Sequence, residues 1–106
     1  MANAYAGEVA LTIGGRRRVL KLTLGALAEL EEAVDPAEGL VGLIGRFEAG
    51  SYSARDVLAL IVAGLKGGGW RDVTADDLLE VEIQGGPVEA ARAAALLLVR
   101  AFGATA

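Results

Sequence analysis

The sequence contains no cysteine and no histidine. Without cysteine there are no disulfides and no thiolate metal sites, and without histidine the commonest general base and metal ligand is missing. The hydroxyls of Ser51 and Ser53 have no histidine to activate them, so we interpret them as helix caps. Asp76 and Asp77 are adjacent and suit the first turn of a helix, where the helix dipole favours negative charge. We therefore expect a protein that is not an enzyme and uses no cofactor or metal.

Long apolar runs and an excess of positive charge are also missing. No run approaches the roughly 20 apolar residues that a membrane span needs, and the N-terminus lacks the basic start and apolar centre of a signal peptide. The chain has 10 basic and 14 acidic residues, and its formal net charge of -4 disfavours contact with nucleic-acid phosphates. We expect a soluble, intracellular protein, with no membrane partner and no nucleic-acid partner.

Aromatic residues are few, at 5% of the chain, although 54% of the residues are hydrophobic. Leucine, valine and alanine must therefore supply the core, and alanine and leucine have high helix propensity. The length of 106 residues is typical of one domain, and no linker divides the chain. We expect a single domain over residues 1–106.

Alternating apolar residues near the N-terminus predict a β-hairpin over residues 8–23, with a Gly-Gly pair in its turn. A two-residue loop would pair Leu11 with Arg18. A four-residue loop would instead pair Leu11 with Leu20, which matches apolar with apolar residues. We expect the longer loop. Either register leaves the same face apolar, and an isolated hairpin is marginal in water, so this one must pack on helices.

Apolar residues at helical spacing and capping signals indicate five helices. They are predicted at residues 24–34, 37–49, 53–66, 74–83 and 87–102. Asp35 and Pro36 supply a cap and a favoured first residue for the second helix. The third helix is apolar nearly all round, which predicts a central position. The expected fold class is α+β, mainly helical, with the hairpin packed on a bundle of about five helices.

The glycine-rich stretch at residues 67–69 follows a lysine, which invites comparison with a phosphate-binding loop. A phosphate-binding loop follows a strand and precedes the first turn of a helix, whereas this stretch follows the last turn of a helix. We interpret it as a flexible helix terminus.

Two features are candidates for contact with another protein. Arg16, Arg17 and Arg18 concentrate positive charge at the hairpin tip, where arginine forks can bind carboxylates, although charge at a strand edge also prevents unwanted pairing. Trp70 either covers the core or anchors an interface, for which tryptophan is enriched. We treat these four residues as candidate protein contacts.

Several short segments resemble the gene-transfer-agent tail protein family, whose members are encoded among phage-type tail genes. The resemblance rests on Gly7-Glu8-Val9, on residues 22–31, on residues 63–67 and on the alanine- and leucine-rich final helix. It covers nearly the whole chain, and the Gly-Ala-Leu-Ala-Glu-Leu-Glu block at residues 25–31 contributes most to it. The family implies no catalytic residues and no cofactor.

The resemblance implies a part in building a phage-type tail. The expected location is then the bacterial cytoplasm during particle assembly, with the particle tail as the alternative. The function we expect from it is that of a tail assembly chaperone, which covers the helical tape-measure protein until tube subunits polymerise around it. Two alternatives stay open: a structural component of the tail tube or connector that is retained in the particle, and a small regulatory module that binds other proteins. A homo-oligomer also stays open, as does an origin in a phage, a prophage or a gene transfer agent.

Overall fold

The computed structural model describes residues 2–103. Within them a short 3-10 helix and a two-stranded antiparallel sheet precede five α-helices. The bounds are Ala4–Ala6 for the 3-10 helix, Val9–Ile13 for β1, Arg16–Leu20 for β2, Leu24–Ala33 for α1, Gly39–Ala49 for α2, Ala54–Gly67 for α3, Ala75–Leu78 for α4 and Gly86–Phe102 for α5. The predicted class, mainly helical α+β with an N-terminal hairpin, is confirmed.

The hairpin turn has two residues, so the four-residue loop that we expected is wrong. Gly14 and Gly15 have φ values of 58° and 79°, the left-handed pair that a type I′ turn requires. Leu11 consequently pairs with Arg18. The primed turn matches the right-handed twist of the two strands, and this local preference outweighed the pairing of apolar residues. The Arg18 side chain in this register lies over the ring of Trp70.

Helix α2 begins at Gly39, two residues later than predicted. The Asp35 carboxylate accepts a hydrogen bond from the Ala37 N–H at 2.9 Å, and residues 36–38 form a turn. Gly39 has φ +63°, so the chain leaves the right-handed region at that point. Asp35 therefore caps a turn, and not the helix as we expected, because the chain changes direction before α2 starts.

Helix α4 contains only Ala75–Leu78, so the predicted helix over residues 74–83 is wrong after its first turn. Thr74 does cap it, because its hydroxyl accepts from the Asp77 N–H and the Asp77 carboxylate accepts from the Thr74 N–H. The residues that follow run alongside β1 instead of continuing the helix.

Residues 79–83 have the sequence Leu-Glu-Val-Glu-Ile, an alternation typical of a strand. Ile83 forms an antiparallel bridge with Ile13. The Gly14 N–H donates to the Glu82 carbonyl at 2.8 Å, and the Gln84 N–H donates to the Thr12 carbonyl at 3.0 Å. These bonds satisfy backbone groups at the outer edge of β1, which a helix over the same residues would leave unpaired.

Helix α3 is central, as predicted, and packs against α1, α5 and β2. Its C-terminal end lies directly on the backbone of β2 and the residue that follows it. A Cβ at Gly67 would lie 1.9 Å from the Lys21 carbonyl oxygen, and one at Gly68 would lie 1.9 Å from the Val19 carbonyl oxygen. The helix ends at these glycines, as expected. Glycine is required there because the helix backbone packs closely on the hairpin region, and not because the helix terminus has to be flexible.

Candidate protein-binding site

Two of the residues that we singled out as contacts meet each other. The guanidinium carbon of Arg18 lies 4.0 Å from the centroid of the Trp70 ring, in cation–π geometry. Both side chains are half-buried, and Trp70 packs against the core. Arg18 is thus engaged within the chain.

Arg16 and Arg17 are exposed at the hairpin tip. Neighbouring residues of a strand point to opposite faces of the sheet, so their two guanidinium groups project on different sides. The tip therefore presents two separate positive charges and not one patch of three arginines. A role for Arg16, Arg17, Arg18 and Trp70 in binding a partner stays a prediction.

An open groove lies between the N-terminal halves of α3 and α5 and has a volume of about 640 Å³. Residues 78–83 form its third wall. The main lining side chains are Ala54, Val57, Leu58 and Ile61 from α3, Leu78, Leu79, Val81 and Ile83 from the third wall, and Pro87, Val88, Ala90 and Ala91 from α5. Among the residues that the structure describes, no charged side chain lines this groove. We call it the α3–α5 groove.

Large apolar side chains stand exposed at the mouth of the α3–α5 groove. Leu79 is 65% exposed and Val88 is 80% exposed. Tyr52 closes one end, where its ring stacks on Phe47 with centroids 4.4 Å apart and planes 6° apart. Clustered exposed apolar residues around a concave surface are typical of a protein-binding site.

Acidic residues are concentrated in the part of the chain that includes the third wall of the groove. The chain has six acidic residues and no basic one between positions 72 and 89, at positions 72, 76, 77, 80, 82 and 89. Glu80 and Glu82 alternate with lining residues, are exposed, and form no ion pair with any other described residue. Glu89 differs, because it binds Arg92 through both oxygens at 2.9 and 2.6 Å, and this hydrogen bonding lowers the pKa of its carboxyl group. Because Glu80 and Glu82 alternate with residues that line the groove, their side chains project on the face of the segment that is turned away from it.

Ion pairs and a capping box fix the N-terminal end of α3, which forms the opposite wall of the groove. Arg46 on α2 donates from Nε and Nη2 to the two carboxylate oxygens of Asp56, each at 2.9 Å, and it also pairs with Glu38. The same carboxylate accepts from the Ser53 N–H at 2.9 Å, which completes a capping box. The hydrogen bonds from Arg46 lower the pKa of Asp56. The predicted cap at Ser53 is confirmed, and it orients the part of α3 that lines the groove.

A family model described as phage tail tube protein, GTA-gp10, matches residues 6–104 of this chain. The chain belongs to this family. No curated protein and no solved structure matches it. Membership confirms the resemblance to gene-transfer-agent and phage tail proteins that the sequence motifs indicated.

For a phage tail protein of this family, the relevant features are surfaces for binding other proteins. The family is one of structural tail proteins, which supports a role in the structure or assembly of a phage-type tail. Within residues 2–103, no helix has both the length and the apolarity needed to cross a membrane, and no group of three or more acidic side chains is placed to hold a metal ion. The α3–α5 groove is the described feature best suited to take a partner.

Sequence reasoning missed this groove. All of its third wall except Leu78 lies in residues 79–83, which we interpreted as the continuation of a helix. The alternation of Leu79, Val81 and Ile83 with two glutamates was the signal that could have identified an extended segment with one apolar face. That segment, placed between α3 and α5, turns two helix surfaces into a groove.

Proposed function

We propose that this family member is a tail assembly chaperone, and that it binds a helical segment of the tape-measure protein in the α3–α5 groove. The observation that supports the proposal is an uncharged, concave and open surface with exposed Leu79 and Val88 at its mouth. Apolar grooves of this kind take the apolar face of an amphipathic helix. The lining residues of α3, Ala54 to Ile61, span about 10 Å, or two helical turns.

A groove of two turns covers only a short part of a long helix. Many copies would be needed to cover the apolar stripe of a tape-measure protein, and each contact would be individually weak. Weak and repeated contacts suit a chaperone, because tube subunits must be able to displace each copy as they polymerise.

The family description, phage tail tube protein, favours a second candidate. In that case the chain is a structural component of the tail tube or connector, and the groove receives a neighbouring subunit. The two candidates differ in one measurable respect: a structural component is retained in the finished particle, whereas a chaperone is not.

The test is to express this chain together with the tape-measure protein of its own gene neighbourhood, followed by affinity capture and size-exclusion chromatography. We expect the two proteins to co-elute with several copies of this chain for each tape-measure protein, which becomes soluble. The double variant Leu79→Ser, Val88→Ser should lose co-elution. The control Leu24→Ser, Val41→Ser changes the same residue types at similarly exposed positions away from the groove, and it should behave as wild type.

A tape-measure protein that stays insoluble while this chain elutes alone would refute the chaperone proposal. Mass spectrometry of purified particles then decides the second candidate. Presence of this chain in stoichiometric amounts supports a structural role, and its absence from particles contradicts that role.

A further inference from the structure

The hairpin buries one face and leaves the other open. Three alternate residues of β1 are buried against the core, so the residues between them point away from it. These are Ala10 and Thr12, which are only half-buried. Arg17 on β2 pairs with Thr12 and is exposed on the same side. We call this open side the outer face of the hairpin.

Residues 82–84 extend the outer face by the width of one strand. Ile83 bridges the buried Ile13, so its two neighbours in sequence, Glu82 and Gln84, project on the outer face. Both side chains are exposed. A shallow depression of about 330 Å³ joins this segment to the two strands of the hairpin. The residues that line it include Ala10, Thr12, Arg17 and Gln84.

The outer face is positive on one side of β1 and negative on the other. Arg17 lies on β2, and Glu82 lies on the segment across β1 from it. Neither side chain forms an ion pair with any other described residue. Glu89, which lies beside the same depression, is already bound to Arg92. The outer-face residues of β1 between the two charges are small and uncharged.

This arrangement of charge is complementary to itself about a two-fold axis parallel to β1. Such a rotation keeps β1 over β1 and places β2 of one copy over residues 82–84 of the other. Arg17, Thr12 and Gln84 lie in one row across the strands. Arg17 of one copy therefore faces Gln84 of the other, with Glu82 about 7 Å further along, within reach of an arginine side chain. An axis perpendicular to the strands would instead place β2 over β2, with positive charge against positive charge.

We propose that a second copy of this chain packs on the outer face, in a two-fold symmetric dimer with two Arg17–Glu82 ion pairs. Charge complementarity selects this occupant, because acid and base stand on opposite sides of one strand and a two-fold axis brings them together. A partner of a single charge sign, such as a nucleic acid, would meet one of the two as a like charge. The face spans only three short strands, so the dimer is weak and depends on concentration.

The contact leaves the α3–α5 groove free. The residues of the third wall that line the groove project on the opposite face of their segment from Glu82. The inference therefore goes beyond the proposed chaperone function and does not depend on it. A dimer of this kind carries two free grooves, so a long helical partner would be bound at two points, with a gain in affinity from the second contact.

The test is sedimentation velocity of the purified chain alone, over a range of concentrations up to about 0.5 mM, where weak contacts become populated. We expect monomer and dimer with no larger species, because a two-fold contact uses the same surface on both copies. Arg17→Glu and Glu82→Arg each place like charges opposite each other, so each should weaken dimerisation about tenfold. Arg16→Glu and Glu31→Arg make the same changes at exposed positions away from the outer face and should dimerise as wild type does.

Mixing the two disrupted variants tests the geometry itself. A heterodimer of Arg17→Glu with Glu82→Arg has an acid opposite a base at both contacts. An equimolar mixture should therefore form dimers that neither variant forms alone, and about 500 mM salt should weaken them by screening. Both residues are exposed, and circular dichroism establishes that each variant is folded. A monomeric wild type, unchanged dimerisation of either variant, or a mixture that stays monomeric would each overturn the proposal.

Cross-linking locates the axis independently. The chain has no cysteine, so Thr12→Cys introduces a single thiol at the centre of the outer face. In the dimer the two thiols face each other across the axis, and a bismaleimide that spans about 10 Å, the spacing of packed sheets, should link them. Glu48→Cys places an exposed thiol on α2 and should give no covalent dimer. Equal cross-linking of the two variants would overturn the proposed contact.

Discussion

The two ends of α3 are packed in opposite ways. At the C-terminal end, Gly67 and Gly68 bring the helix backbone against the carbonyls of Lys21 and Val19, leaving no room for even a methyl group. At the N-terminal end, the helix is held by ion pairs and a capping box, and its apolar side chains line an open groove. One end is thus committed to the fold, and the other remains available to a partner. Four substitutions test this contrast, from the largest expected effect on stability to the smallest.

Gly68→Ala should destabilise the fold most. The new methyl group would meet the Val19 carbonyl oxygen at 1.9 Å, which requires α3 and β2 to separate. We expect a loss of about 3 kcal/mol in the free energy of unfolding, measured by urea denaturation. The control is Gly45→Ala in α2, where no atom lies within 4 Å of the new Cβ, and it should stabilise by about 0.5–1 kcal/mol. Equal effects at the two positions would contradict the close packing of α3 on β2.

Asp56→Asn should cost about 1–2 kcal/mol, because it weakens both the capping box and the bidentate pair with Arg46. The effect should depend on pH. Since Arg46 lowers the pKa of Asp56 in the folded protein, its stabilising contribution is full above the ordinary pKa of aspartate. That contribution is lost as the pH falls through the lower folded value, so wild type and variant should converge in acid. A difference in thermal midpoint that stayed constant from neutral pH into acid would contradict this account.

Arg18→Ala should cost about 0.5–1 kcal/mol through loss of the cation–π contact with Trp70, which lies just beyond the C-terminal end of α3. The emission of Trp70 reports on it directly, since it is the only tryptophan of the chain. Arg17→Ala, on the opposite face of the hairpin, should leave both stability and emission unchanged. An emission change of equal size in both variants would show that the contact is not specific to Arg18.

Leu79→Ser should change stability by less than about 0.5 kcal/mol, because the side chain is 65% exposed. Its effect on binding should be large, because Leu79 stands at the mouth of the groove. Urea denaturation and the co-elution assay, applied to the same preparation, separate the two quantities. If Leu79→Ser is strongly destabilised and still co-elutes with the tape-measure protein, Leu79 contributes to the fold and not to binding, which contradicts the difference proposed between the two ends of α3.

Part of the candidate site could be predicted from local sequence. Ser53 and Thr74 precede helices with an aspartate three residues later, and both form the expected caps, because a capping box involves only neighbouring residues. The turn at Gly14 and Gly15 was also a local signal. The predicted register was wrong because we gave more weight to pairing apolar residues across the two strands than to the preferred geometry of a two-residue Gly-Gly turn.

Other features could not be obtained from periodicity. Arg18 belongs to the hairpin and Trp70 to a loop far along the chain, so no local pattern indicates that they stack. Residues 79–83 suited a continued helix on apolar content alone, and their extended form depends on β1 offering backbone partners.

The sequence by itself determined the N-terminal hairpin and the presence of five helices, the lack of thiol and imidazole chemistry, and membership of the tail protein family. These properties depend on composition, on capping and turn residues, and on motifs that are contiguous in the chain. The tertiary structure alone decided that glycines at 67 and 68 meet the backbone of the hairpin region, and that α3, α5 and residues 78–83 form a groove. Such contacts join residues distant in sequence, and their stability comes from close packing and paired backbone groups, which no local pattern records.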